Sequence, residues 1–330
     1  MKKKVGFSAL FVGLGLLTGI IIWQGIGEIL TVFGKIGGKI LYLVLYYILP
    51  LTCTVWATYI LFPRSLRPKL RDQWFGNLLV NSVNWLLPVA QIGGWIARVH
   101  WLSVRGTSTS LAGASAIVDL TLQALAQGMI GILGLTLLVH FFGQEKTLIT
   151  LGLLVVVLLL GLVYIFYRIQ NNGIFSYLLV KIRNSSLALG LAQYLEHTQS
   201  IDLEIKNFYD RRHQVVISAL FRFTSRILFA GEIWIVFYFV GYPISMLDAI
   251  LLESLGQTVR AASFFVPGSY GIQEGGYIAL GLILGLPTSY CLAMALTKRV
   301  RELLVGGITL LFWQWREGKS ILNLSGISSN

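Results

Sequence analysis

Apolar residues run along this chain in blocks of about twenty, the length that crosses a hydrocarbon layer of ~30 Å at ~1.5 Å per residue. The blocks do not alternate in polarity at every second residue, as the strands of an outer-membrane barrel do. Helical spans are predicted at Val5–Trp23, Ile40–Phe62, Ser110–Leu138, Thr147–Tyr167, Val215–Val240 and Thr288–Trp315. Pro50 falls inside the second and predicts a kink, because proline removes one helical N–H and crowds the preceding turn. Two more apolar stretches are interrupted. Phe75–Ala97 contains Asn81, Asn84, Pro88, Gly93 and Gly94, and Ile244–Leu286 contains Pro267, Gly268, Gly271, Gly275 and Gly276. Each reads as a helical hairpin with a Pro/Gly break at its tip. The one long polar segment, Gln170–Gln214, carries Ile174, Phe175, Leu178, Leu179 and Ile182, a pattern that predicts amphipathic helices on a membrane face.

Composition fits this pattern. Hydrophobic residues make up 55% of the 330 positions and charged residues 12%, roughly half the ~25% of a soluble domain. A soluble enzyme, a disordered chain and a nucleic-acid-binding domain are excluded. The net charge of +12 follows topology instead. Seventeen lysines and arginines fall on one side of the predicted spans, Arg98 and Arg105 among them, and only Lys35, Lys39 and Lys146 on the other. Excess positive charge marks the cytoplasmic side, so both termini are expected inside. Val5–Trp23 is then a retained first span, too long for a typical signal-peptide core and without a clean cleavage site. The same split requires the first hairpin to enter and leave from the cytoplasm and the second from outside, which makes both re-entrant.

Pro88 and Pro267 are 179 residues apart, and the same offset aligns Thr109-Ser110 with Thr288-Ser289, Ala114 with Ala293 and Leu125 with Leu304. The expected fold is therefore an all-α, polytopic membrane protein built as two inverted repeats, each with a broken re-entrant hairpin, an architecture common among transporters. A single membrane domain over residues 1–330 would divide into repeat one at about 1–140, a cytoplasmic amphipathic connector at 168–214 and repeat two at about 215–320.

The candidate chemistry concentrates between Glu253 and Glu302. Glycines and Pro267 let the backbone leave the helix, which hydrocarbon tolerates only where the freed groups face protein or water. Lys298, Arg299, Arg301 and Glu302 lie about ten residues inside the last span, ~15 Å deep. Each such charge facing lipid costs ~2.5–3.5 kcal/mol, so all must face inward. Asp119 stands 179 residues before Lys298, which predicts an Asp119–Lys298 pair between the repeats. Glu274 reads either as a helix-N-terminal acid held by the dipole or as a buried carboxylate paired with a cation. Arg222 and Arg226 are expected to snorkel to the cytoplasmic interface, with Glu232 as a deeper partner. Cys53 and Cys291 read as small apolar residues without a disulfide. His100, His140, His197 and His213 have no metal-ligand spacing, and no nucleophile elbow or Gly-rich phosphate loop occurs, so neither metal nor cofactor is expected.

Three groups of residues carry a resemblance. They are Leu252-Glu253-Ser254-Leu255-Gly256-Gln257 with Val259-Arg260, Phe265-Val266-Pro267-Gly268 with Gln273-Glu274-Gly275-Gly276-Tyr277, and Lys298-Arg299-Val300-Arg301-Glu302. Leu87-Pro88-Val89-Ala90-Gln91, Gly93-Gly94 and Arg98 extend it into the first half. The chain resembles the hopanoid-biosynthesis-associated integral membrane proteins, within the lysylphosphatidylglycerol synthase transmembrane, or flippase-like, superfamily. It departs from that pattern at Trp95, where a Glu is usual. The resemblance implies a bacterial inner-membrane protein that moves or handles a lipid, without the aminoacyl-transfer domain of the synthases.

The expected function is a lipid translocase for an amphiphile with an anionic or zwitterionic headgroup. Arg260, Lys298, Arg299 and Arg301 would hold the headgroup, and Pro267, Gly268, Gly275 and Gly276 would offer backbone donors. Glu274, Asp119, Glu253 and Glu302 would compensate charge or couple to protons. Arg299 is expected to be the cation left over for a ligand, so that Arg299→Ala would abolish transport yet keep the fold. An intramembrane transferase using Glu274 or Glu253 as base, and a non-transporting assembly factor for envelope-lipid enzymes, are the competing readings. A homo-oligomer and envelope-lipid biosynthesis enzymes stand as candidate partners.

Overall fold

The structure is a computed structural model. It describes residues 34–87, 93–143, 192–263 and 269–327, with Thr31, Val266 and isolated positions from 150 to 170. The predicted span Val5–Trp23, most of Thr147–Tyr167, both hairpin prolines and Ile174 to Ile182 lie outside the described residues. Every regular element that is described is helical. Two stretches, Gly34–Leu61 and Thr109–Val139, are long and apolar enough to cross a membrane on length and hydropathy alone. Other long helices carry several ionic residues, and it is these that build the site below.

The predicted second span is two helices, α1 (Ile40–Tyr46) and α2 (Ile48–Leu61), broken at Tyr47. Pro50 explains the break: the Tyr46 carbonyl, four residues back, has no N–H to receive. Helix α3 (Leu70–Leu86) is followed by α4 (Gly93–Ser103), which packs back against it. Gly94 permits that approach, since a Cβ there would lie 2.3 Å from the Val80 carbonyl oxygen. The Gly94 N–H donates to Asn84 Oδ1 at 2.9 Å, so the asparagine that interrupts the apolar run satisfies the opening turn of α4. Helix α5 (Thr109–Phe142) starts at an Ser108 N-cap.

Helix α6 (Ala192–Asp210) belongs to the polar connector and lies along α5, burying Ile205 and Phe208. Helix α7 (Arg212–Phe239) is central, packing against α2, α5, α8 (Met246–Ala262) and α10 (Thr288–Ile327). A Ser245–Asp248 capping box opens α8. Helix α9 (Ile272–Ile283) lies between α8 and α10, and α10 also packs against α3. One core joins Ile233, Val236 and Phe237 of α7 to Leu252, Tyr277 and Leu292. A second joins Leu61, Leu79, Trp101, Leu111 and Phe208.

The two ends of this bundle differ in charge. Arg64, Arg67, Lys69, Arg105, Arg211 and Arg212 gather at one, where Arg211 Nη1 donates to the Leu61 carbonyl at 2.8 Å and Arg105 meets Asp72 at 3.5 Å. Lys35 and Lys39 mark the other, where Lys35 Nζ reaches the Val240 carbonyl at 3.4 Å. One basic residue counted by sequence with the first end does not belong there. Arg98 is 0% exposed and sits inside the bundle. Both cysteines are free thiols, Cys291 buried and Cys53 partly so.

Candidate functional site: a charged layer inside an apolar bundle

Successive residues on a helix are turned ~100° from one another, so the ionic cluster of α10 points at three different neighbours. Lys298 faces α8, with Nζ 2.5 Å from Glu253 Oε2 and 3.2 Å from the Tyr277 hydroxyl. Arg299 faces α9, where Nε donates to Glu274 Oε1 at 2.7 Å and Nη2 to Gln273 Oε1 at 3.2 Å. Its Nη1 donates to Glu302 Oε2 at 2.9 Å, one turn along α10. Arg301 faces α7 and grips Glu232 with two parallel bonds of 2.8 and 3.0 Å. That guanidinium also lies 4.7 Å from the ring centroid of Tyr47 and 4.9 Å from that of Trp85. Arg260 of α8 donates to Glu302 Oε1 at 2.9 Å and to Gln273 at 3.3 Å. Tyr277 fits beside Lys298 because Gly256 opposes its ring; a Cβ at 256 would lie 2.3 Å from it.

Glu274 performs both roles that its sequence context allows. One oxygen accepts from the Gly271 N–H at 2.8 Å, closing the N-terminus of α9, while the other takes Arg299. Gly271 holds the positive φ of 78° that this cap needs. The remaining glycines of the motif are placed differently from expectation. The Gly275 N–H is already bonded to the Gly271 carbonyl at 3.0 Å. Gly276 lies within α9 with its Cα against Val259, so it serves close helix packing. The expected donors Pro267 and Gly268 lie outside the described residues.

Asp119 is not a partner of Lys298. It lies on the face of α5 turned to α4 and α7, where Arg98 Nη1 donates to it at 2.9 Å and Arg222 also pairs with it. The Trp95 indole N–H adds a bond of 3.3 Å. Lys298 is taken by Glu253, which sits seven residues into α8 at the level of the lysine. The shared offset in sequence therefore does not become a contact. Arg222 does not snorkel either: at 8% exposure it is held in the interior by the carboxylate, which is a better partner than distant water. Nor is Arg299 the cation left over. With two carboxylates and a glutamine around it, it is the most heavily bonded of the set.

Among the described residues, seven interior cations (Arg98, Arg222, Arg226, Arg260, Lys298, Arg299, Arg301) face five carboxylates (Asp119, Glu232, Glu253, Glu274, Glu302), leaving two positive charges. Sequence reasoning placed the surplus on the last span. There, with Arg260 included, every cation is matched one to one, and the surplus lies on α4 and α7. The α7 residues were legible as charges four apart in an apolar run, but their partners were not. Gln273 and Tyr277, which complete the bonds of Arg299 and Lys298, escaped notice as neutral residues in a predicted helix.

Near the basic end, an apolar cavity of about 500 Å³ opens between α5, α6 and α7, lined by Leu122, Leu125, Tyr164, Tyr167, Tyr209 and Arg212 among others. Burial pushes the Tyr209 hydroxyl up to about 12, so it stays a neutral donor at pH 7, bonded to Gln170 at 2.7 Å. No group of His, Cys, Asp and Glu suited to a metal occurs among the described residues.

Residues 10–309 match the family described as the lysylphosphatidylglycerol synthase TM region. No curated protein and no solved structure matches the chain.

Proposed function

The chain belongs to the lysylphosphatidylglycerol synthase TM-region family, and on that premise we propose that it is a lipid translocase of the bacterial inner membrane. The observation that carries this reading is the layer of buried ion pairs at mid-depth, joining α10 to α7, α8 and α9. Such pairs contribute little net stability, because desolvation consumes most of the Coulomb attraction. Ionic residues inside membrane helices usually mark a path for a polar group. Here that path is for a headgroup whose phosphate or carboxylate replaces Glu274 or Glu302 on Arg299 and Arg260. Replacement frees α9 from α10 next to the Pro267–Gly268 segment, which is where the bundle would open. Lys298 and Arg301 hold the neighbouring helices by Glu253 and Glu232 and can exchange partners in the same way. Asp119 compensates cations on the opposite side of α7.

The basic end of the bundle faces the cytoplasm in this reading, and the tyrosine-lined cavity beside it admits part of an acyl chain. Two inverted repeats with re-entrant tips, as the 179-residue offset suggests, would open the charged layer alternately to either leaflet. A hopanoid or another envelope lipid is the natural cargo if the sequence resemblance extends to substrate.

Reconstitution tests the reading. In liposomes carrying a fluorescent phospholipid in both leaflets, the full-length protein should expose inner-leaflet label to external dithionite, while mass spectrometry finds the lipid unchanged. Label that stays protected at all protein densities removes the translocase reading, and a new lipid product replaces it with the transferase.

A further inference from the structure

We infer that Arg98, Arg222 and Arg226 form an anion site around Asp119 that takes a phosphate group, separate from the paired cluster on α10. Its geometry is stated by the bonds already present. Arg98 and Arg222 share a single carboxylate, so one of their two charges has no counter-ion. Three of their donors, Arg98 Nε and Nη2 and Arg222 Nε, are buried and meet no acceptor. Arg98 is fully buried and Arg222 nearly so. Arg226 lies one turn of α7 beyond Arg222 and forms no hydrogen bond or ion pair with a described residue.

The charged groups that act on Arg226 are Arg222, Arg260 and Glu253, and the last two already have partners in Glu302 and Lys298. Buried charges and buried donors are ordinarily satisfied. This cluster lacks one acceptor-rich anion, and phosphate oxygens match guanidinium forks in charge and shape. Arg226 is partly exposed where the other two are not, so the anion enters past it.

The missing acid has a place in the sequence. Trp95, whose indole N–H rests on Asp119, stands 179 residues before Glu274, the carboxylate that neutralises Arg299 in the other cluster. Repeat two fills that position with an internal acid, whereas repeat one has an indole and two unmatched arginine charges. The site is thus an ion-pair position vacated by the chain and open to a ligand.

The source of the phosphate is a lipid headgroup if the translocase reading holds, and the proposal rests on that reading only for the source. Native mass spectrometry of the full-length protein in maltoside detergent provides the test, with phosphatidic acid, diacylglycerol and inorganic phosphate as probes. Phosphatidic acid should bind and diacylglycerol, which lacks only the phosphate, should not. Arg226→Gln should weaken phosphatidic acid by about tenfold, the scale of one lost charge-assisted contact. Trp95→Glu should weaken it at least as much while raising the melting temperature of the lipid-free protein, because the new carboxylate occupies the site. Competition by millimolar inorganic phosphate assigns the site to free anions, and its failure to compete assigns it to lipid. Equal binding of phosphatidic acid and diacylglycerol, or wild-type affinity in both variants, overturns the proposal. Because this assay reads binding alone, the site can stand while the liposome assay rejects transport, and the reverse.

Discussion

Asp119→Asn should be the most destabilising single substitution in the interior of this protein. Two arginines share that carboxylate, and a third cation lies one turn away on α7. Breaking one buried pair typically costs ~3–5 kcal/mol, because the surviving charge stays desolvated without a partner. Here one neutralisation strands two charges, so the cost should reach or exceed the upper end of that range. An asparagine can still accept one hydrogen bond, but it supplies no field. Denaturant unfolding in detergent micelles measures the effect. Asp119→Asn/Arg222→Met should recover part of the loss, since Arg98 then becomes the only cation abandoned at that carboxylate. An Asp119→Asn protein that unfolds at the wild-type midpoint would contradict the charge distribution described above.

The Arg301–Glu232 pair should show a different pattern. Both side chains are 2% exposed, and two parallel hydrogen bonds join α10 to α7. Arg301→Met and Glu232→Gln should each cost ~3–5 kcal/mol, for the reason just given. The double variant should cost much less than their sum, because both desolvated charges are gone and methionine can pack against Tyr47 and Trp85. A favourable coupling of ~2–3 kcal/mol in the cycle is expected. Additive losses would mean that Arg301 acts through its ring contacts rather than through Glu232.

These results depend on partners that only the folded chain displays. Hydropathy located α2, α5, α7 and α10, because a block of apolar residues has the same meaning wherever its neighbours lie. It also identified the charges of α10 as inward-facing, since lipid would reject them. Which acid meets which cation depends on the rotation of each helix and on the order of packing, and neither leaves a local mark in the sequence. Asp119 and Lys298 occupy matching positions in the two halves. Even so, Asp119 is taken by α4 and α7 and Lys298 by α8. Matching positions specify similar roles, and contact requires a shared face. Arg222 failed for a related reason: its distance from the helix end suggested snorkelling, while the carboxylate that retains it comes from a helix about one hundred residues earlier.

The departure at Trp95 shows the opposite case. A single substitution relative to a family pattern was visible in sequence, and only the structure shows that an acid there would lie beside two arginines sharing one carboxylate.

The central claim is that the buried ion pairs serve passage of a headgroup rather than stability, and one variant separates the two. Glu253→Gln/Lys298→Met removes a buried pair as a unit, a change that is often neutral or stabilising by ~1–4 kcal/mol. In the liposome assay, this double variant should unfold at or above the wild-type denaturant midpoint and yet translocate labelled phospholipid at least tenfold more slowly. Translocation at the wild-type rate by a stably folded double variant would contradict the account.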